Sequence, residues 1–327
     1  MKKIFVTLFV LLLCFGVSAR NADRKANRDA KALLKLLEKV QRKGGSLPAM
    51  MAKYDWNHLH SDTVKMLTGK YPAINCFDFM HFNIEGKKEL YRTIRPVTEW
   101  TENGKIAAMM WHWNVPLSEG AHRYAFYNKG EFKAANCLKP GTWEHREFYA
   151  SMDSVANIIK KLQDARIPII FRPFHEGAGN ASGTVWFWWG NGGAAVYKQL
   201  YQTMFHYFCD VKQLHNIVWA WNSNIYQNGA TYDDASWYPG DEYVDIVGTE
   251  NYDLKEIGRL KACYDYLKQH YSSKIIALTE TNSQFKVSEM VKAGMRWTFI
   301  MPWCGAFFPK KEWWDDYFSQ PNVVLGK

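Results

Sequence analysis

No Cys-x-x-Cys pair, no His-Glu-x-x-His run, no Gly-x-Ser-x-Gly turn and no Walker loop occurs in this chain of 327 residues. Those absences argue against the familiar zinc, serine-nucleophile and nucleotide-hydrolysing arrangements. Cysteine is scarce and widely spaced, with Cys76, Cys137, Cys209, Cys263 and Cys304 following Cys14. Five thiols cannot all pair, so buried structural thiols are expected, with room for one disulfide. The glycines of Gly177–Gly183 half match a dinucleotide fingerprint, but the third comes one residue late and aromatics rather than a helix follow. Lysine and arginine outnumber acids by 41 to 32, yet they are spread out, so no focused patch for nucleic acid is formed. No low-complexity linker divides the chain.

Long apolar runs are also missing, with one exception at the start. Lys2 and Lys3 precede the apolar Ile4–Phe15, and Val17-Ser18-Ala19 supplies a small-residue cleavage site. This predicts a signal peptide over residues 1–19, too short for a membrane span, and export to the periplasm or medium. A lipid anchor on Cys14 at the cell surface is the alternative, although Leu11–Leu13 lacks the small residue of such a signal. Removing Lys2 and Lys3 lowers the net charge from +9 to +7.

What the chain has in excess is tryptophan, 15 residues in a composition that is 16% aromatic. Each buried indole N–H wants a partner, so core packing alone does not call for so many; a surface that stacks flat ligands such as sugars does.

Residues 20–45 are expected to form an N-terminal helical segment, with Leu33, Leu36, Leu37 and Val40 on one face of a helix over 27–43 that Gly44-Gly45 stops. Residues 46–327 then alternate short apolar runs with amphipathic stretches. Eight strands are predicted: Leu47–Met51, Ala73–Phe79, Ile106–Trp113, Ile167–Phe174, Ile217–Trp221, Val244–Thr249, Lys274–Thr279 and Arg296–Pro302. Most are continuously apolar, as parallel strands buried on both faces should be. Helices are expected over Phe148–Ala165, Ala194–Cys209 and Glu256–His270. Eight such units in steady alternation predict an α/β fold, a single (β/α)8 TIM barrel. Two long connections, Pro116–Glu144 and Gly177–Gly193, leave the C-terminal ends of strands, where barrel enzymes carry their chemistry.

Those strand ends are polar or aromatic: Trp111-His112-Trp113-Asn114, Arg172-Pro173-Phe174-His175-Glu176, Trp219-Ala220-Trp221-Asn222, Glu250-Asn251-Tyr252-Asp253, Thr279-Glu280-Thr281-Asn282 and Trp303. Closing the barrel would bring them to one rim. Glu176 and Glu280 could then flank a glycosidic bond, one as proton donor and one as ionised nucleophile. Their surroundings must separate their pKa values. The tryptophans near Glu176 would desolvate it and favour the neutral acid, and Arg172 across the barrel would favour the charged form of Glu280. Trp188 and Trp189 are read as core. Trp111 and Trp113 are expected to pack outward on helices if His112 points inward.

These motifs resemble glycoside hydrolase family 26, whose members are mostly β-1,4-mannanases on barrels. The resemblance rests on Trp111-His112-Trp113, Arg172–Glu176, Trp186–Gly190, Tyr243–Gly248 with Tyr252, and Thr279-Glu280, and spans roughly residues 45–310. It implies Glu176 as acid/base and Glu280 as nucleophile. His112, His175 and Trp186 would line the subsite of the sugar being cleaved, Tyr252 would hold the nucleophile, and Trp303 would be an aromatic platform. The loop between Glu176 and Trp186 is longer than the family pattern, which leaves internal and terminal attack both open. A glycan on the Asn180-Ala181-Ser182 sequon would obstruct the cleft, which fits a bacterial source.

The expected function is therefore retaining hydrolysis of β-1,4-mannosidic bonds in mannan, galactomannan or glucomannan, with manno-oligosaccharides as further substrates, without cofactor or metal. Retention would place the two carboxyl groups ~5–5.5 Å apart. The same machinery acting on β-1,3-xylan or mixed-linkage β-glucan, and a non-catalytic sugar-binding barrel, are the alternatives. Nothing in the sequence speaks to oligomeric state.

Overall fold

Eight apolar runs become eight parallel strands in a computed structural model that describes residues 21–325, apart from 54, 85–86, 180–183, 224–225, 228–229, 232–234 and 253–254. The expected signal peptide with Cys14, the sequon at Asn180 and Asp253 all lie outside the described residues. The strands are β1 (Leu47–Met51), β2 (Ile74–Asp78), β3 (Ile106–Met110), β4 (Ile169–Arg172), β5 (Ile217–Ser223), β6 (Ile246–Asn251), β7 (Ile275–Thr281) and β8 (Phe299–Pro302). Each pairs with its sequence neighbour, and β8 pairs with β1, closing the barrel. The fold is the expected (β/α)8 barrel. Every position of the strands whose burial is described is buried, which is why most of the runs are continuously apolar rather than alternating.

Among the described residues eight α-helices accompany them: α1 (Arg28–Arg42), α2 (Leu59–Thr68), α3 (Arg95–Thr101), α4 (Trp143–Asp164), α5 (Gly193–His206), α6 (Ile257–His270), α7 (Val287–Lys292) and α8 (Lys311–Ser319). Helix α1 buries Leu33, Leu34, Leu37 and Val40, each worth ~1.5–3 kcal/mol when fully removed from water. Its Gln41 accepts from the Ile276 N–H and donates to the Lys274 carbonyl, fastening α1 to the N-terminal end of β7. Helix α4 begins five residues before the expected start. Thr142 caps it, accepting from the His145 N–H, and the polar first turn Glu144–Glu147 hides that start from any apolar periodicity. The strands end earlier or later than expected by a few residues, as where Pro173 stops β4.

The five cysteines beyond Cys14 are all buried, and none forms a disulfide among the described residues. Trp111 and Trp113 stack on each other with ring centroids 3.7 Å apart; Trp113 also stacks on Phe148 of α4, as expected, while Trp111 packs against Phe79 and Phe82. Among the described residues no helix is long and apolar enough to cross a membrane.

One irregularity positions the site. Along β6 and β7 the register runs Thr249↔Leu278 and then Glu250↔Glu280, skipping Thr279. This β-bulge turns both Thr279 and Glu280 toward the barrel interior, where Thr279 reaches Asn222 and Glu280 reaches Arg172. Gly248 makes room: a Cβ there would lie 2.2 Å from the Thr279 methyl.

Candidate active site

The sequence-predicted residues meet at the C-terminal mouth of the barrel. Arg172, the last residue of β4, donates through Nη2 to Glu280 Oε1 and through Nη1 to Glu250 Oε1 at 2.8 Å. The Tyr252 hydroxyl donates to Glu280 Oε2 at 2.6 Å. Both oxygens of Glu280 are thus held, which locks its orientation in a buried setting. Burial opposes the Arg172 charge, but Glu280 and Glu250 together keep its pKa above the ordinary arginine value. Burial and the neighbouring Glu280 raise the Tyr252 phenol far above its usual range, so it stays a donor.

Glu176 sits four residues beyond Arg172 and is partly exposed. Its φ of 51° and that of Phe174, 52°, fall in the left-handed region, a cost of order 1–3 kcal/mol each. Aromatic side chains hold this strained turn by its carbonyls. The Tyr197 hydroxyl donates to Phe174 O at 2.8 Å, and Trp189 Nε1 donates to His175 O at 2.8 Å. Trp188 Nε1 donates to Trp113 O at 2.7 Å. Trp188 and Trp189 are core residues as expected, and they also anchor the backbone that presents the site. Trp186 Nε1 donates to Glu176 Oε2 at 2.5 Å. Burial raises the Glu176 carboxyl above its ordinary value, as anticipated. The indole of Trp186 works the other way, because its N–H favours the ionised form.

His112 and His175 form the opposite wall, Nε2 to Nε2 at 3.2 Å. Asp78, fully buried at the end of β2, accepts from His112 Nδ1 at 2.6 Å and from the His112 N–H at 3.0 Å. Asp78 thus holds a His112 proton on Nδ1, and the two Nε2 atoms share one hydrogen bond. Burial, with His112 and Arg172 adding to it, holds His175 well below the usual histidine range, hence neutral. Its Nδ1 has no hydrogen-bond partner among the described residues. Trp303 lies beside His112, ring centroids 5.7 Å apart, and Phe126 and Phe187 pack against the same pair.

All eight residues singled out from the sequence therefore belong to one contiguous cluster. Three more were missed as site residues. Asp78 and Glu250 are charges at the ends of otherwise apolar strands, a signal that was present. Asn222 donates to Glu250 Oε1 at 2.8 Å and had only its strand-end position to mark it. Burial, followed by the neighbouring Glu176 and Glu280 charges, pushes the Glu250 carboxyl well above the ordinary carboxylate range. No cluster of His, Cys, Asp and Glu suited to a metal ion occurs among the described residues.

A closed parallel barrel with opposed carboxylates and aromatic walls at its C-terminal mouth has the form of a glycoside hydrolase. The family model for Glycosyl hydrolase family 26 matches residues 22–322. The chain belongs to that family. It is 41% identical to the GH26 domain of an endo-β-mannanase/endo-β-glucanase from Prevotella bryantii, over 94% of this chain and 98% of that one, with a TM-score of 0.87. A β-mannanase from a symbiotic protist of the termite Reticulitermes speratus, solved with a gluco-manno-oligosaccharide, is 25% identical over 94% of this chain and 96% of that one, with a TM-score of 0.79. Mannan endo-1,4-β-mannosidase A of Piromyces sp. is 31% identical over 274 residues, 79% of this chain. The chain spans only 41% of that relative's length.

Proposed function

We propose that this chain hydrolyses β-1,4-mannosidic bonds in mannan, galactomannan or glucomannan by double displacement with retention. The observation that carries the reading is the paired setting of Glu176 and Glu280 on one rim. Glu280 is gripped at both oxygens by Arg172 and Tyr252, and Glu176 is partly exposed with a raised pKa. Glu280 attacks the anomeric carbon while Glu176 protonates the departing oxygen. Glu176 then takes a proton from water, which releases the sugar from Glu280. His112, His175, Trp186 and Trp303 bind the sugar, and the unpartnered Nδ1 of His175 hydrogen-bonds a hydroxyl. The name of the Piromyces relative and the oligosaccharide bound to the termite-protist enzyme support mannose as the sugar. The basic and apolar start of the chain supports export.

A reducing-sugar assay on mannan, β-1,3-xylan and mixed-linkage β-glucan tests this. Turnover should be fastest on mannan and absent in Glu280→Ala. Faster turnover on xylan or glucan would replace the substrate, and mannan binding without turnover would make the chain a sugar-binding barrel.

A further inference from the structure

Of the phenylalanine, tyrosine and tryptophan side chains among the described residues, four are exposed: Tyr71, Tyr124, Tyr127 and Phe307. Tyr71 precedes β2, at the N-terminal end of the barrel. The other three stand on loops that leave the C-terminal ends of β3 and β8, around the mouth. Tyr124 is tied into a short hairpin, paired with Pro116, and the Lys129 ammonium lies over the Tyr127 ring, 5.1 Å from its centroid. Phe307 has no polar atom to offer water, yet it is 43% exposed.

The backbone turns this ring outward. Residues Gly305–Phe307 form a single 3-10 turn. In it the Phe307 N–H donates to the Cys304 carbonyl at 3.3 Å and the Phe308 N–H to the Gly305 carbonyl at 3.1 Å. Cys304, before the turn, is buried, and Phe308, after it, packs on His60 with ring centroids 5.0 Å apart. With both flanks anchored, Phe307 is left at the rim. Its ring meets Tyr252, centroids 5.3 Å apart and planes tilted by 58°. Tyr252 in turn donates to Glu280 Oε2. A residue from beyond β8 thus meets one from beyond β6 across the end of β7, one ring further out than the nucleophile.

We propose that Phe307 is the platform for the second sugar of the glycone, the part of the substrate that stays on Glu280 when the bond breaks. This rests on the hydrolase reading above. The sugar bonded to Glu280 occupies the floor of the mouth, beside His112 and Trp303. The departing part lies on the side of Glu176, which protonates it and which comes from beyond β4. Phe307 is on the other side, joined to the nucleophile through Tyr252. A mannosyl unit presents apolar C–H faces, and an open aromatic ring takes them out of water. A glycone of one sugar does not reach this ring, and a glycone of two does. Phe307 therefore selects chains over single mannosides.

The test compares two substrates with the same activated aryl leaving group, a β-mannoside and a β-mannobioside, which differ only in the second glycone sugar. Phe307→Ala should lower kcat/KM about tenfold on the mannobioside and leave the mannoside unchanged. Phe307→Trp keeps a flat ring and should keep the wild-type ratio. Tyr71→Ala removes an exposed ring from the other end of the barrel and should change neither rate. An equal loss on both substrates in Phe307→Ala would mean that Phe307 acts only by steadying Tyr252, and no loss on either would leave the ring without a role; both results overturn the proposal. Mannotetraose labelled at its reducing end gives an independent reading. Phe307→Ala should release a larger share of mannose from the nonreducing end, the one cut that leaves a single sugar on the glycone side. An unchanged cleavage pattern would overturn the proposal even where the aryl mannoside is turned over too slowly to measure. Failure of the hydrolase reading would look different, since the wild type itself would turn over neither aryl glycoside nor the tetraose.

Discussion

The indole N–H of Trp186 donates to Oε2 of Glu176 at 2.5 Å, across a loop of nine intervening residues. On the function proposed above, the tryptophan that stacks on the sugar also tunes the acid/base. Its hydrogen bond favours the carboxylate, while burial favours the acid. Trp186→Phe keeps most of the apolar surface and removes the donor. The Glu176 pKa should rise further, so the alkaline limb of kcat/KM should move to higher pH. Hydrogen bonds to charged groups are worth ~1.5–3 kcal/mol, so the limb should move by about one pH unit or more. An unshifted pH profile would separate Trp186 from proton control.

Tyr252 holds Glu280 from the side opposite Arg172. Tyr252→Phe leaves the ring and its contact with Phe307 in place but frees Glu280 Oε2. At the same ~1.5–3 kcal/mol, kcat/KM should fall about 10- to 100-fold with melting behaviour little changed. Steady-state kinetics beside a thermal melt checks this; a loss of stability that matches the loss of rate would contradict a positioning role.

Gly177 follows Glu176 directly. A Cβ there would lie 2.1 Å from the Tyr197 ring, whose hydroxyl secures the Phe174 carbonyl. Gly177→Ala should therefore push Tyr197 away from the strained turn. Overpacking costs ~1–3 kcal/mol, and activity should fall as well because the turn carries Glu176. Equilibrium unfolding in urea, read beside activity, measures both; a variant as stable and as active as the wild type would show that Tyr197 does not support the turn.

Asp245 lies at the opposite end of the barrel, where it accepts from the Ala22 N–H at 2.7 Å and the Trp219 N–H at 2.8 Å. Burial pushes its carboxyl up to about 6, against an ordinary value of 3.8 and in spite of those hydrogen bonds and Lys274. The folded chain thus holds this proton more tightly than the unfolded chain does. Its contribution to stability is complete below pH 3.8 and is lost as pH rises through about 6, on the order of 3 kcal/mol in all. In Asp245→Asn, unfolding free energy measured from pH 4 to 7 should show a shallower fall than in the wild type. An identical slope would rule out Asp245 as its source.

The barrel was legible because strands buried on both faces are mostly apolar, as most of the eight runs were. Glu176 and Glu280 were legible because each follows such a run, where a charge has no packing reason to be. Glu250 carried the same mark but stood beside Tyr252 among other polar residues. Its importance comes from the bulge at Thr279, which aligns it with Glu280, and a one-residue register shift leaves no trace in hydrophobic periodicity. Asp78 was hidden differently: its partner is a histidine 34 residues away, joined only by the pairing of β2 with β3. The paired roles of Trp188 and Trp189, core side chains whose N–H groups hold strand-end carbonyls, depend on a loop path that composition does not encode.

The most direct test of the account is to trap the covalent intermediate. A fluorinated mannosyl substrate with a good leaving group forms the glycosyl–enzyme bond faster than water can break it, and peptide mass spectrometry then locates the attached sugar. One sugar per chain should be found, esterified to Glu280, and none in Glu280→Ala. A label on another residue, or turnover of the reagent with inverted stereochemistry and no adduct, would contradict it.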